Sequence, residues 1–309
     1  MSEIMVSICV LSYNHEKYLR DCLDGVVMQK TTFSIEAWVH DDASTDSSAD
    51  IIKEYQQKYP DIIKPILQKE NQYSKKEGSI LAKFVYPKCS GKYIALCEGD
   101  DYWTDPYKLQ KQVDFLESHP DFSMCCHGAD VKNETLQKVD CACEHMTTRE
   151  YFPVDAFPTW QIPTASIVYR REKVEKYKIK RASDFFAGDV VLILTCMHVG
   201  RVWGVEEHMS VYRVNAGGVT RRAISWEGKL KFCKHYEALV ANFPLLDADY
   251  CHRYIAMVHY TNFHKAKSAK EKLHSLSMAF RNKPSYVLRK IFRLKSKPRN
   301  DVFYQHYKC

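Results

Sequence analysis

Across its first hundred residues the chain alternates short apolar runs with helical ones, and no other feature limits the fold as strongly. "MVSICVL" is a short apolar run closed by a polar turn from Ser12 to His15. Leu19, Cys22, Leu23, Val26 and Val27 then recur at the spacing of one helical face. "IEAWVH" reads as a second strand that runs into the acidic turn "DDASTD". Ile51, Ile52, Tyr55 and Tyr59 mark the helix after it, ended by Pro60. "DIIKPIL" and "GKYIALC" supply a third and a fourth strand. This order predicts an α/β fold: a mostly parallel sheet with helices on both faces. Sites in such sheets lie beyond the carboxyl ends of the strands, so the polar turns are where chemistry is expected.

Beyond residue 105 the pattern is looser. Asp105 and Pro106 read as the N-cap and first-turn proline of a helix that carries Leu109, Val113 and Leu116 and stops before Pro120. "FSMCCHGADV" and "TASIVYR" read as strands, and "FFAGDVVLILTCMHVG" as a buried helix closed by Gly200. "RVWGVEEHMSVYRV" reads as two strands, and from about Trp226 the chain reads mostly helical. No internal repeat and no low-complexity linker interrupts it.

Three turns concentrate polar groups at predicted strand ends. "LSYN", Leu11 to Asn14, offers Tyr13, an aromatic able to stack on a nucleobase; the motif alone favours a core tyrosine. "DDASTD" offers a carboxylate as an acceptor for a base N–H or ribose hydroxyls, while Ser44 or Asp46 can cap the next helix. "CEGDDYW" places Glu98, Asp100 and Asp101 just after an apolar strand. Clustered carboxylates there are costly unless a cation compensates them. They suit a hard ion, Mg²⁺ or Mn²⁺, bound jointly with phosphate oxygens. The alternative is an acidic loop that caps a helix, a task Asp105 already covers.

These segments, "VSICVLSYNHEKYL", "VHDDASTD" and "GKYIALCEGDDYWTDPYKLQKQVDFLE", resemble the N-terminal half of the family 2 glycosyltransferases. The similarity is close over residues 5–120 and looser through "PTASIVYRRE", "GDVVLILTCMHVGRVWGV" and "SVYRVNAGGVT" to about residue 220. It implies a GT-A fold with a nucleotide-sugar-binding half at 1–105, an acceptor-binding half at 106–220 and a helical basic region at 221–309. It implies that Leu11 and Tyr13 line the base site, that Asp42 bonds the base, and that Asp100, helped by Asp101, holds Mn²⁺ or Mg²⁺ on the diphosphate. Asp189 falls where the family carries its catalytic base; from the residues alone it is also a helix N-cap. Two departures stand out. Glu98 replaces the usual first aspartate, and Asn215, two residues after Arg213, replaces a histidine that many relatives place near the diphosphate. Arg213 is a candidate fixed positive charge.

The implied reaction moves a sugar, UDP-linked by expectation, onto an acceptor hydroxyl with inversion. The expected acceptor is a glycan or lipid-linked glycan of surface polysaccharide synthesis. A nucleotidyltransferase would show a glycine-rich turn after the first strand, and "SYNHEKY" has no glycine. A scaffold that had lost activity would not be expected to keep "EGDD".

Charge bears on partners. From residue 264 onward 13 Lys/Arg face only Glu271 and Asp301, although the whole chain carries +7. Such a tail either lies on an anionic bilayer or packs as a helix with a solvated basic face. Charge alone does not mark a nucleic-acid binder, and none is expected as a partner. No basic leader precedes "IMVSICVL", and the run Val190 to Met197 is far below the roughly 20 residues that span a bilayer. The expectation is a cytoplasmic protein, peripheral on the inner membrane face at most. The twelve cysteines, scattered in apolar runs without a C-x-x-C pair, read as reduced thiols rather than as a zinc site at Cys125, Cys126, His127, Cys141, Cys143 and His145.

Overall fold

The computed structural model describes residues 3–75, 78–134, 141–157, 159–215 and 226–292. The alternating half becomes β1 (Ile4–Ser12), α1 (Leu19–Val27), β2 (Ser34–Asp41), α2 (Ser48–Lys58), β3 (Ile63–Leu67), β4 (Tyr93–Glu98), β5 (Tyr102–Trp103) and α3 (Lys108–Ser118). There follow β6 (Phe122–Asn133), β7 (Arg149–Tyr151), α4 (Pro153–Ala156), β8 (Val168–Arg170), α5 (Arg171–Glu175), α6 (Gly188–Val199) and β9 (Arg201–Val214). Four helices come last: α7 (Trp226–Asn242), α8 (Ala248–Lys265), α9 (Ala269–Asn282) and α10 (Pro284–Ile291).

The strands form one sheet in the order β3-β2-β1-β4-β8-β6-β9-β5, with β7 beside β9. β3, β2, β1 and β4 pair in parallel, as strands joined by crossovers do. β8 runs antiparallel to both β4 and β6, so the sheet is mixed beyond the nucleotide-type half. Its core is built by the predicted apolar positions: Ile8, Val10, Ala37, Val39, Ala95 and Cys97 from the strands meet Leu19, Leu23, Val26, Ile52, Leu109, Val113 and Leu116 from the helices. Each Val, Leu or Ile among them, fully buried, contributes about 1.5–3 kcal/mol against exposure.

Two expectations are revised. β9 is one strand of 14 residues, not two. Its exposed Glu206, Glu207 and His208 break the alternation in the sequence, yet β6 pairs along its whole length and absorbs the irregularity by register shifts on either side of Gly128. The N-cap of α3 is Tyr107, not Asp105. Asp105 acts just upstream, accepting from the Tyr107 N–H at 2.7 Å and pairing with Lys111 at 2.8 Å.

The chain forms two compact units: Met1–Lys178 with Leu192–Ala216, and Ile179–Val191 with Gly217–Lys308. The first holds the whole sheet. The second is helical, with an aromatic cluster in which Phe232, His235, Tyr236 and Tyr254 meet edge-on or tilted. Ten cysteines, among them Cys125, Cys126 and Cys143, are buried free thiols, whereas Cys141 is disulfide-bonded and departs from the all-thiol expectation. Among the described residues no three His, Cys, Asp or Glu side chains converge to hold a metal, and no helix is long and apolar enough to cross a membrane.

Candidate functional site

Sheet register brings the three polar turns to one edge. Leu11 pairs with His40 on one side and Glu98 on the other, and Ser12 pairs with Asp41. The first two turns then zip together. Asn14 N–H donates to Ser44 Oγ at 2.9 Å, and Asn14 Oδ1 accepts from Thr45 N–H at 2.8 Å. His15 N–H reaches Ser48 Oγ at 3.0 Å, and Glu16 N–H reaches Asp46 Oδ2 at 3.0 Å. Asp46 also accepts from Ser48 N–H at 3.0 Å, so it secures the start of α2 as well. Asn14 and Ala43 both lie in the left-handed region, at φ 57° and 60°. Such backbone persists where surrounding bonds over-determine it, as they do here. Tyr13 stands at the tip, 45% exposed, and is no part of the core.

Asp42 has partners well beyond its own turn. It is buried, and both carboxylate oxygens are taken by backbone: Oδ1 accepts from Gln72 N–H at 2.7 Å and Oδ2 from Tyr73 N–H at 2.9 Å. Its carbonyl accepts from Asn71 Nδ2 at 3.2 Å, and its N–H donates to Ser12 O at 3.0 Å. Asp42 therefore clamps the 71–73 loop against the first turn and sets Tyr73, 50% exposed, at the site's rim. Nothing within "DDASTD" signals a partner thirty residues away.

The acidic turn is braced from beneath. Gly99 N–H donates to Leu11 O at 2.8 Å. A Cβ on Gly99 would come within 2.8 Å of His15 Nδ1 and 2.9 Å of Leu11 O, so the turn requires glycine there. Asp100 Oδ2 accepts from Asn215 Nδ2 at 2.8 Å, with His15 Nε2 4.0 Å away. Asp101 was expected to help hold the metal. It is instead 1% exposed, with Oδ1 accepting from Arg213 N–H at 2.8 Å. Burial, and then the Asp100 and Glu98 charges, raise its carboxyl well above the ordinary range.

Arg213 is likewise buried. Its Nη1 donates to Asp100 O at 2.8 Å, Nη2 pairs with Asp21, and Nε lies 3.6 Å from Glu134. The guanidinium sits 4.4 Å from the Tyr102 ring centroid and 5.1 Å from that of Tyr18. Arg213 and Asp101 together pin the turn to β9, while Glu98 is exposed and Asp100 half-buried above them. No described residue bonds Asp100 Oδ1. Two hard carboxylates at a strand end fit Mg²⁺ or Mn²⁺, with phosphate oxygens and water completing the shell.

Asp189 opens α6 within the second unit, half-buried in its first turn. The segment leading to it is anchored on α7: Phe186 packs edge-on to Phe232 at 4.8 Å, and its N–H donates to His235 Nδ1 at 3.3 Å. Burial pushes His235 down to about 3, so it stays neutral and able to accept. Arg181 bridges Asp184 at 2.7 Å and Glu237 at 3.3 Å, tying the same segment to α7 again.

Sheet, turns and acidic motif together define an α/β fold of the GT-A type. The model of Glycosyl transferase family 2 matches residues 7–178, more than half of the chain, and the chain belongs to that family. An uncharacterised protein of Mycobacterium tuberculosis is 39% identical over 235 residues, which is 72% of this chain and 64% of that protein. The chain thus spans under two thirds of that relative's length. Among solved structures, residues 1–349 of S. aureus TarS in complex with UDP-GlcNAc align with TM-score 0.62 at 16% identity, over 90% of this chain and 81% of that one. A mannosyltransferase of Pyrobaculum calidifontis in complex with GDP-Man and Mn²⁺ aligns with TM-score 0.57 at 15% identity, over 94% and 88%. At these identities the likeness is one of fold.

Proposed function

We propose that this chain transfers a sugar, with inversion, from a uridine-diphosphate-linked donor to a hydroxyl of a glycan or lipid-linked acceptor in surface polysaccharide synthesis. One observation carries the reading: exposed Tyr13 and the Glu98 and Asp100 carboxylates share one edge of the sheet, on turns that are bonded to one another. The nucleotide sugars bound by TarS and by the mannosyltransferase support it.

In this reading residues 1–105 take the donor and 106–220 the acceptor. Tyr13 stacks on the base beside Leu11. Asp42 acts on the base indirectly, through the 71–73 loop it holds. Glu98 and Asp100 hold Mn²⁺ or Mg²⁺; such an ion, when bound, acts as a Lewis acid on the departing diphosphate. Asn215 fixes the Asp100 carboxylate, and Arg213 with Asp101 fixes its backbone. Asp189 takes the proton of the attacking hydroxyl as general base. A single displacement leaves the anomeric centre inverted.

The test is a thermal-shift panel of UDP- and GDP-sugars with Mn²⁺ or chelator, on wild type and Asp100→Ala. A ligand bound only by the fold raises Tm by mass action. A UDP-sugar should stabilise the wild type with Mn²⁺ and lose that effect in chelator and in Asp100→Ala. Stabilisation that ignores both would remove Asp100 from the metal site, and no stabilisation by any nucleotide sugar would remove the donor assignment.

A further inference from the structure

Within the second unit α10 buries Val287 against its neighbours and leaves its other apolar side chains outside. Leu288, Ile291 and Phe292 stand at i, i+3 and i+4, and so form one stripe at the end of the helix. They are 42%, 49% and 67% exposed, and Leu273 on α9 is 72% exposed. Three large apolar groups side by side in water are unusual unless something covers them.

The surrounding charge says what could. Lys267, Lys270, Lys272, Arg281, Arg289 and Lys290 are exposed on the loop before α9, on α9 and on α10. None of these six forms an ion pair among the described residues. Between residues 264 and 292 Glu271 is the one acid in the sequence. A second copy of the same face would bring these cations against one another. A nucleic acid would satisfy the cations but give Leu288, Ile291 and Phe292 nothing to enter. A surface that is anionic outside and apolar beneath satisfies both.

We propose that this face docks on the anionic headgroups of a phospholipid bilayer, with Leu288, Ile291 and Phe292 entering the interface and the lysines and arginines on the phosphates. Docking would bring the catalytic chain to a lipid-linked acceptor. Membrane contact is read without any donor, so its failure leaves the transferase reading standing.

The test is co-sedimentation of the full chain with vesicles of phosphatidylcholine alone or mixed with phosphatidylglycerol. The chain should pellet with the mixed vesicles, not with phosphatidylcholine, and raised salt should release it. The double variant Ile291→Asp/Phe292→Asp should bind the mixed vesicles at least about tenfold more weakly. Its melting temperature should stay close to the wild type, since both side chains lie at the chain surface, 49% and 67% exposed. Absence of pelleting, or equal pelleting of the double variant, would overturn the proposal. So would a concentration-dependent dimer that the double variant loses, because the stripe would then belong to a second copy.

Discussion

Replacing Arg213 by Met separates two roles that its place in the chain leaves open, ligand contact and internal brace. The side chain is 2% exposed and donates a charged hydrogen bond to Asp100 O at 2.8 Å. A hydrogen bond with one charged partner contributes about 1.5–3 kcal/mol net. The Tyr102 ring, 4.4 Å from the guanidinium carbon, adds roughly 1–2 kcal/mol in a desolvated setting. Asp21 is 54% exposed and regains water when its partner goes, so that pair contributes no more than about 1 kcal/mol. Methionine keeps part of the packing, and the loss comes to roughly 3–5 kcal/mol, in the range for removing one partner of a buried pair. For a unit of this size that is about 10 °C in Tm. Thermal melts of the full chain and calorimetric titration of a UDP-sugar with Mn²⁺ measure both sides. The brace predicts a large fall in Tm with a modest loss of donor affinity, caused by a looser Asp100. An unchanged Tm with affinity reduced about a hundredfold or more would show that Arg213 meets the ligand, and the brace would be refuted.

Burial pulls Lys108 from the ordinary 10.5 down to about 7, against the Trp103 ring 4.2 Å from Nζ, which favours the ammonium. The unfolded chain therefore takes up a proton that the folded one refuses as pH falls from about 10.5 to about 7, so this lysine costs stability across that window and no further below it. Urea melts across the window should show Lys108→Met losing less stability than wild type on acidification; equal slopes would mean the ammonium is already accommodated. Asp42→Asn puts an amide where two N–H groups now donate, and should loosen the 71–73 loop by about 1–3 kcal/mol. Hydrogen exchange at Gln72 and Tyr73 should speed up; unchanged exchange with lost nucleotide affinity would return Asp42 to direct base contact. Gly25→Ala would set a Cβ 2.8 Å from both Trp103 N and Trp103 O. Backbone cannot swing aside, so a destabilisation of about 1–3 kcal/mol is expected in urea melts, and a neutral variant would show the α1–β5 contact to be softer than its geometry.

The first hundred residues were legible because strand and helix periods there are clean and each ends in a turn. That His40, Leu11 and Glu98 line up at one edge follows from that order once the strands are taken as parallel. What lay outside reach was the partner of each polar group. Asp101 and Asp100 are adjacent and chemically identical, yet one is buried under β9 and the other half-buried with its carboxylate held by Asn215; only the pairing of β5 with β9 separates them. Arg213 read as a charge for the diphosphate because its burial depends on Tyr18, Tyr102 and Asp21, all remote in sequence. β9 reads as two strands because three exposed residues interrupt its alternation, and what joins them is β6, which pairs on both sides of the skipped Glu206 and Glu207. The family resemblance and its place at the start of a long apolar helix single out Asp189, whereas Phe186, His235 and Arg181, which anchor the segment, carry no motif.

The most direct measurement compares Asp189→Asn with wild type in turnover, donor affinity and product stereochemistry. The proposed mechanism predicts turnover lowered roughly 10²–10⁴-fold, the scale for losing a general base. Donor Kd should be unchanged, since Tyr13 and the Glu98–Asp100 turn hold the donor, and the wild-type product should be inverted at the anomeric carbon by NMR. Near-normal turnover in the variant, or retained configuration in the wild-type product, would contradict it.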